Sequence, residues 1–149
     1  MILKAEIYDL IYSYKDYAAE SKKLMTILAA HNRSGGNDLL DVACGTGEHI
    51  VQLKEVYQVE GLDLSADQLA VAKQKNPEIT FHEADMTAFD LGRQFDAVVC
   101  LFSAIGYAKT PEACQSAISC MARHLKPGGV LVIEPWFTVF NSIENYRIN

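Results

Sequence analysis

The sequence has few of the residues that mark specialised classes of protein. Among its 149 residues there are four prolines and one tryptophan, and 21% are charged while 50% are hydrophobic. This composition is typical of an ordinary globular protein and argues against a disordered or low-complexity chain. A chain of this length can bury most of the surface that its unfolded form exposes, so we expect a single domain.

Basic clusters and long apolar runs are also absent. The formal net charge is −6, which would repel a phosphate backbone, so we do not expect nucleic acid as a partner. No apolar run approaches the ~20 residues that span a bilayer, and residues 1–6 lack the pattern of a secretory signal. These features predict a cytoplasmic protein that makes no contact with a membrane.

The cysteines and histidines show no pattern typical of a metal site. Cys44, Cys100, Cys114 and Cys120 have no C-x-x-C spacing and lie among apolar residues. Such cysteines are typical of small buried side chains in a reducing compartment. The histidines form no i, i+4 pair around a glutamate, so no zinc site of that kind is predicted.

Helical and strand patterns alternate along the chain. Hydrophobic spacing and turn residues predict helices at 17–31, 48–57, 65–75 and 111–124, and strands at 39–43, 59–62, 79–82, 95–101 and 130–133. Ser65 and Gln68 have capping-box spacing at the start of the third helix. The alternation predicts an α/β fold: a Rossmann-like, doubly wound and mostly parallel sheet with helices on both faces.

Two glycines follow the first predicted strand, at the sheet edge where ligands of such folds bind. Gly45 and Gly47 allow a tight turn and the close approach of a ligand to the backbone. A dinucleotide fingerprint would have a third glycine where Ile50 stands, so pyrophosphate is not favoured. Asp41 instead suits a ligand with an ammonium group. A purely conformational role for the glycines is the alternative.

Acidic residues also follow the second and third predicted strands. Asp63 can accept hydrogen bonds from both hydroxyls of a ribose, and Leu64 beside it can pack on an adenine. Asp85 can accept the exocyclic amine of adenine while the backbone at Met86 meets a ring nitrogen. The alternatives are a helix cap for Asp63 and a solvated turn for Asp85. Three carboxylates at three successive strand ends favour the ligand interpretation.

Four stretches at these positions resemble motifs of the class I S-adenosylmethionine-dependent methyltransferases. They are residues 40–49, 61–65, 95–99 and 125–131. Within that superfamily, residues 8–12, 15–17, 102–107 and 134–137 are most similar to N-methyltransferases and N,N-dimethyltransferases of nucleotide-linked amino sugars. The resemblance implies S-adenosyl-L-methionine as the cofactor and a small-molecule acceptor.

The resemblance also implies roles for individual residues. Tyr8 and Tyr17 would close over the cofactor, and Asp63, Asp85 and Met86 would hold its adenosine. The methionine portion would be lined by Ala43, Leu101 and Phe102.

Two aromatic residues are candidates for the acceptor side. Because methyl transfer from a sulfonium is an in-line displacement with a neutral leaving group, alignment is the main contribution of the protein. Tyr107 is the candidate for orienting the nucleophile through a hydrogen bond, since a phenol with a pKa near ~10 is a poor base. Trp136 is the candidate for a substrate contact. Simple packing is the alternative for both.

The sequence departs from its relatives after the fifth strand, where they continue and supply much of the substrate pocket. We expect residues 1–34 to form an amino-terminal helical cap, 35–134 the sheet core, and 135–149 the start of an incomplete substrate region. The chain would then be a fragment, or a second copy or partner chain would cover the apolar edge at 130–133. A non-catalytic cofactor-binding module is therefore the main alternative function. A nicotinamide-dependent oxidoreductase is disfavoured by Ile50.

Overall fold

A central parallel sheet organises the computed structural model, which describes residues 5–11 and 13–135. The helices are α1 (Ala5–Ile11), α2 (Tyr17–His31), α3 (Glu48–Leu53), α4 (Ala66–Lys75) and α5 (Pro111–Arg123), with a short 3₁₀ helix at Ala104–Tyr107. The strands are β1 (Asp38–Val42), β2 (Gln58–Asp63), β3 (Thr80–Glu83), β4 (Phe95–Cys100) and β5 (Leu125–Ile133).

Strand order creates the crevice in which a ligand would bind. In the part of the chain that the structure describes, the sheet has the order β3-β2-β1-β4-β5 and every neighbouring pair is parallel. The chain therefore winds in opposite directions from β1 and β4, and loops at their carboxyl ends diverge. The predicted doubly wound α/β fold is confirmed.

Alternating residues of each strand supply two separate halves of the core. Leu39 of β1 packs with Leu28 of α2 and Leu53 of α3 on one face. Leu40 packs with Met121 of α5 on the other face. All five side chains have no exposed surface, and burying each stabilises the fold by about 2 kcal/mol. The period-2 pattern of the strands thus explains why both faces are covered.

Polar side chains fix where several helices begin. Asp16 accepts a hydrogen bond from the Ala19 N–H at 3.0 Å at the start of α2. Ser65 accepts one from the Gln68 N–H at 3.3 Å at the start of α4, as the capping-box spacing predicted. Because these oxygens satisfy donors that have no partner within the helix, each cap contributes about 1 kcal/mol.

Most predicted bounds are within one residue of the structure, but larger differences occur at α1, α3 and β5, and the 3₁₀ helix was not predicted. Helix α1 was not predicted, and α3 ends at Leu53 rather than at residue 57, because the chain then forms tight turns. Strand β5 begins at Leu125 instead of residue 130. Its pairing with β4 shifts register across the glycine pair, where Gly128 has a φ of +81° and its carbonyl accepts the Arg33 N–H at 2.8 Å.

Asp96 of β4 joins β1, β5 and the loop before β1 at the amino edge of the sheet. Its side chain is only 1% exposed. It accepts hydrogen bonds from Ser34 Oγ at 2.6 Å, from the N–H groups of Gly36 and Asp38 at 3.2 and 2.9 Å, and from Lys126 Nζ at 3.0 Å. Burial acts to raise the pKa of Asp96, but these donors outweigh it and lower the pKa to about 2. The carboxylate is therefore ionised, and both of its oxygens accept hydrogen bonds.

Among the described residues, the longest helix is α2, and none of the helices is both long and apolar enough to cross a bilayer.

Candidate functional site

The loop after β1 has a backbone shape that requires its two glycines. Gly45 and Gly47 have φ angles of +57° and +78°, a region that side chains disfavour. A Cβ at Gly45 would lie 2.7 Å from Gln68 Oε1, and one at Gly47 would lie 3.2 Å from the Ala72 Cβ. Ala43 at the start of the loop also has a positive φ of 58°. The glycines therefore give the loop its turn and let it pack on α4.

Asp63 connects this loop to the next crossover helix. Its Oδ2 accepts the Gly45 N–H at 2.8 Å, and its Oδ1 accepts the Ser65 N–H at 2.9 Å. The side chain that caps α4 is Ser65, so Asp63 is not the helix cap. Since each carboxylate oxygen has more than one lone pair, both can accept a further hydrogen bond from a ligand hydroxyl.

Asp41, in β1, lies near Asp63, the last residue of the neighbouring strand β2. The residue is 2% exposed. Burial raises its pKa to about 8, and the charge of Asp63 adds to the rise. No hydrogen bond from a described residue offsets this rise. A buried acid without a partner next to a glycine loop is suited to a cation supplied by a ligand.

An exposed apolar side chain follows β2, and an exposed carboxylate follows β3. Leu64 is 67% exposed. Asp85 is exposed, and its Oδ1 accepts hydrogen bonds from the N–H and the hydroxyl of Thr87, both at 2.8 Å. The Thr87 N–H lowers the pKa of Asp85. Met86 is partly buried against the core. Asp85 thus forms a local turn, which leaves its proposed adenine contact as a prediction.

A strained turn follows β4. Phe102 and Ser103 have φ angles of +53° and +60°, although neither is glycine. The Phe102 N–H donates to Glu134 Oε1 at 2.6 Å. Leu101 is half-buried, whereas Tyr107 in the 3₁₀ helix is 77% exposed. Tyr107 is therefore open to a ligand but is not held against the cleft.

Charged and aromatic groups of the amino-terminal segment meet this turn. Lys15 Nζ lies 3.8 Å from the centroid of the Phe102 ring and 2.7 Å from Glu20 Oε1. Glu20 Oε2 lies 3.2 Å from His49 Nε2, and the Tyr17 and His49 rings form an edge contact at 4.9 Å. Burial lowers the pKa of His49. The segment before β1 is thereby attached to the carboxyl ends of β1 and β4.

Asp9 attaches α1 to the glycine loop at a second point. Its Oδ1 accepts the Thr46 hydroxyl and its Oδ2 accepts Lys75 Nζ, both at 2.5 Å. Lys75 also pairs with Glu48. Thr46 is 2% exposed. Because Thr46 stands between the two glycines, α1 and the glycine loop are connected directly.

We expect Asp9→Ala to loosen α1 from the sheet without unfolding the core. The two hydrogen bonds involve charged partners but are partly exposed to water, so their loss should cost about 1–2 kcal/mol. Amide hydrogen exchange of α1 should accelerate by about 5- to 30-fold. Asp67→Ala removes an exposed carboxylate from α4 and should leave the exchange of α1 unchanged. Equal exchange of α1 in both variants would contradict this attachment.

The structure brings most of the predicted site residues to one edge of the sheet. Ala43, Gly45 and Gly47 lie in one loop, with Asp41 and Asp63 beside it. The predictions for Tyr8 and Trp136 concern a side chain and a residue that lie outside the described part of the chain.

The contacts of Asp9, Lys15, Glu20 and Glu134 were not predicted. Apart from the Lys15–Glu20 pair, these contacts join residues that lie far apart in the sequence, so residue spacing gives no signal for them.

The chain is similar to known methyltransferases. Residues 39–129 match the family model described as a methyltransferase domain. The chain is 46% identical over 136 residues to the dTDP-3-amino-3,4,6-trideoxy-alpha-D-glucopyranose N,N-dimethyltransferase of Streptomyces venezuelae, covering 89% of this chain and 57% of the relative. It is 43% identical to the dTDP-3-amino-3,6-dideoxy-alpha-D-glucopyranose N,N-dimethyltransferase of Streptomyces fradiae, covering 95% and 56%.

Solved structures show the same fold. DesVI of Streptomyces venezuelae superposes with a TM-score of 0.87 at 42% identity, covering 94% of this chain and 60% of that one. The amino pentose methyltransferase CalS10 of Micromonospora echinaspora, solved with S-adenosylmethionine bound, gives a TM-score of 0.84 at 36% identity, covering 94% and 59%. The chain spans little more than half the length of these relatives. By its sequence match and its fold, the chain belongs to the methyltransferase domain family.

Proposed function

We propose that this chain binds S-adenosyl-L-methionine at the carboxyl edge of the sheet and takes part in methyl transfer to the amino nitrogen of a nucleotide-linked amino sugar. The observation that carries the proposal is the arrangement of Asp41 and Asp63 around the glycine loop. The three groups that such a cofactor presents are an ammonium group, a ribose and an adenine. The described residues offer complementary groups in that order along the sheet.

The residues present fit this cofactor. Asp41, a buried acid that accepts no hydrogen bond from a described residue, suits the ammonium group, and Asp63 has lone pairs free for the ribose hydroxyls. The positive φ of Gly45 gives the loop the tight turn whose backbone a ligand would contact. Leu64 and Asp85 are exposed at the adenine end. Leu101 and Phe102, beyond β4, are the proposed lining of the methionine portion.

The proposed acceptor follows from the relatives. The two relatives at 46% and 43% identity are named as N,N-dimethyltransferases of dTDP-linked amino sugars. The chain spans little more than half of their length. The proposal for the acceptor therefore depends on the relatives and not on contacts within this chain. Tyr107 is the proposed orienting group, since its exposed phenol can accept or donate a hydrogen bond to an amine. We propose Trp136 as a substrate contact.

The contribution of the protein to the reaction is alignment. When bound, the cofactor supplies an electrophilic methyl group on a sulfonium. The chain's own residues then have to hold the amine about 3 Å from that carbon, in line with the bond that breaks. The amine loses a proton after it is methylated, and the phenol of Tyr107 orients the nitrogen without acting as a base.

Two measurements on the chain test the function. Calorimetry with S-adenosylmethionine should show binding, and a dTDP-linked 3-amino sugar should acquire a labelled methyl group from it. Replacing the acceptor with the same sugar nucleotide bearing a hydroxyl instead of the amine should abolish incorporation. Binding without incorporation would favour the non-catalytic cofactor-binding module instead. Absence of binding would contradict the proposed site.

Cofactor binding is expected to release a proton through Asp41. Because its pKa in the folded protein is about 8, the carboxyl is mostly neutral at pH 7 in the ligand-free protein. An ammonium group favours the ionised form, so binding at pH 7 should release about one proton and tighten as the pH rises from 6 towards 7.5. Calorimetry in phosphate and in Tris, whose ionisation enthalpies differ, measures this proton directly.

Asp41→Asn provides the matched control for proton release. The amide has nearly the same shape and does not titrate, so the enthalpy of binding should no longer depend on the buffer. The same raised pKa means that ionising Asp41 costs stability as the pH rises from about 4 to about 8. The ligand-free Asp41→Asn variant should therefore lose less stability over that range. An unchanged proton release in the variant would exclude Asp41 as its source.

We also propose that the protein is cytoplasmic. The four cysteines are unpaired, and Cys100 and Cys120 are buried in the core, which suits a reducing compartment.

In the part of the chain that the structure describes, β5 pairs with β4 alone. We propose that further polypeptide, from a partner or a second copy, covers this edge.

A further inference from the structure

Glu134, the residue after β5, contacts the strained turn after β4 through its side chain and its backbone. Its Oε1 accepts the Phe102 N–H at 2.6 Å, a charge-assisted hydrogen bond. Its carbonyl accepts the Ser103 N–H at 3.1 Å, and its own N–H donates to the Cys100 carbonyl at 2.9 Å. The residue that follows β5 therefore accepts a hydrogen bond from each residue of the strained pair and is also paired with the end of β4.

The turn needs such support because its conformation is unfavourable by itself. Phe102 and Ser103 both lie in the left-handed region, at φ angles of +53° and +60°. This region is rarely adopted by residues other than glycine, asparagine and aspartate. Two consecutive residues stay there only when surrounding contacts fix them, and strained residues of this kind cluster at ligand sites. Among the contacts described, the Glu134 carboxylate is the charged group that accepts a hydrogen bond from the backbone of this pair.

The conformation of the turn determines where the Phe102 ring lies. The ring stands beneath the Lys15 ammonium group at 3.8 Å, and Lys15 pairs with Glu20 of α2. The Lys15 side chain is only 8% exposed. Phe102 is thus held through its N–H by Glu134 and through its ring by Lys15. A turn that relaxed to ordinary φ angles would carry the ring away from Lys15 and from the cleft.

We propose that Glu134 is a positioning residue that shapes the methionine side of the cofactor cleft by holding the Phe102–Ser103 turn. The proposal rests on the proposed function, because it assigns a role within that same site. Glu134 acts through Phe102. The adenosine side is built separately by Asp63 and Asp85, which lie at the ends of β2 and β3. Removing the Glu134 carboxylate should therefore affect one end of the ligand and spare the other.

Calorimetry with two ligands tests this separation. S-adenosylhomocysteine has the amino-acid portion, whereas 5′-methylthioadenosine lacks it but keeps the adenosine. Glu134→Ala should weaken S-adenosylhomocysteine by at least about 10-fold and change the affinity for 5′-methylthioadenosine by less than about two-fold. Glu134→Gln retains a carbonyl oxygen for the Phe102 N–H and should stay within about three-fold of the unmodified chain.

Two further variants keep the proposal testable if Glu134→Ala does not fold. Glu134→Asp keeps the charge but is one methylene shorter, so it should lose the Phe102 contact and lower the affinity for S-adenosylhomocysteine. Ser103→Gly removes the side chain from one strained position. When combined with Glu134→Ala or Glu134→Asp, it should recover part of the lost affinity for S-adenosylhomocysteine.

The outcomes separate this proposal from the proposed function. An equal loss for both ligands, or a Glu134→Gln variant as weak as Glu134→Ala, would overturn the positioning role alone. An absence of recovery by Ser103→Gly would do the same. If the unmodified chain bound neither ligand, the proposed cofactor site itself would be overturned, and this role with it.

Discussion

Replacing Asp96 by alanine is expected to lower the free energy of unfolding by about 3–5 kcal/mol. The carboxylate accepts hydrogen bonds from the N–H groups of Gly36 and Asp38, from Ser34 and from Lys126. Its side chain is 1% exposed, so water cannot replace it fully. The substitution would leave buried donors without an acceptor at the point where β1, β4 and β5 meet. Each such donor destabilises the fold because it has lost its contact with water and gains no hydrogen bond in return.

Urea denaturation of the two proteins measures this difference. Asp90→Ala is the matched control, because Asp90 is an exposed turn carboxylate that accepts one backbone hydrogen bond, from Gly92. Its substitution should change the free energy of unfolding by no more than about 0.5 kcal/mol. A loss below about 1 kcal/mol in Asp96→Ala would show that the Asp96 contacts are not a major source of stability.

The pH dependence of stability gives a second measurement of the same carboxylate. The pKa of Asp96 falls from 3.8 to about 2 on folding, so ionised Asp96 stabilises the folded protein above pH 4 by about 2 kcal/mol. This contribution disappears as the pH falls from about 4 through about 2. The difference in stability between the unmodified chain and Asp96→Ala should therefore shrink over that acidic range.

The sequence predicted the framework of the fold because hydrophobic spacing reports burial directly. Helix α2 has the predicted bounds 17–31, and β1 differs from the prediction by one residue. Strand β5 was predicted five residues too short, because proline and two glycines normally end a strand. Here the ladder continues past them through a change of register, which depends on contacts with β4 and Arg33.

The candidate site was predicted only where its residues are near one another in sequence or follow a motif. The glycine loop has a local signature, and Asp63 follows a strand that the pattern of apolar residues identifies. The attachment of Asp9 to Thr46 and Lys75 joins residues that are 37 and 66 positions apart. The Glu134 contact with Phe102 spans 32 positions. Pairing of this kind depends on strand order, which a single sequence does not specify.

The carboxylates of the site also differ in a way that residue identity does not show. Asp41 and Asp63 are the same residue type and lie side by side, yet burial raises the pKa of Asp41 to about 8, while Asp63 is engaged by two backbone N–H groups. A ligand therefore meets a neutral, titratable acid at one point and an oriented hydrogen-bond acceptor at the next. We therefore expect a substitution of Asp41 to change the proton release on binding, and a substitution of Asp63 to change the affinity for the ligand.

Replacing Asp63 by alanine is expected to lower the affinity for S-adenosylmethionine by at least about 100-fold. In the proposed site, Asp63 accepts hydrogen bonds from both ribose hydroxyls, and each bond to a charged acceptor contributes about 1.5–3 kcal/mol. The substitution also removes the acceptor of the Gly45 N–H, so the glycine loop loses its connection to β2. The loss of the ribose hydrogen bonds acts on the adenosine end of the ligand.

Calorimetry with S-adenosylmethionine and with 5′-methylthioadenosine checks this expectation. Asp63→Ala should weaken both ligands by a similar factor, unlike Glu134→Ala, because both ligands contain the ribose. Asp90→Ala changes the net charge equally but lies in a turn between β3 and β4, away from the proposed contacts, and should bind as the unmodified chain does. A loss of less than about 10-fold in Asp63→Ala, worth about 1.4 kcal/mol, would rule out Asp63 as the ribose-binding residue. The cofactor would then have to be held mainly by other groups of the cleft.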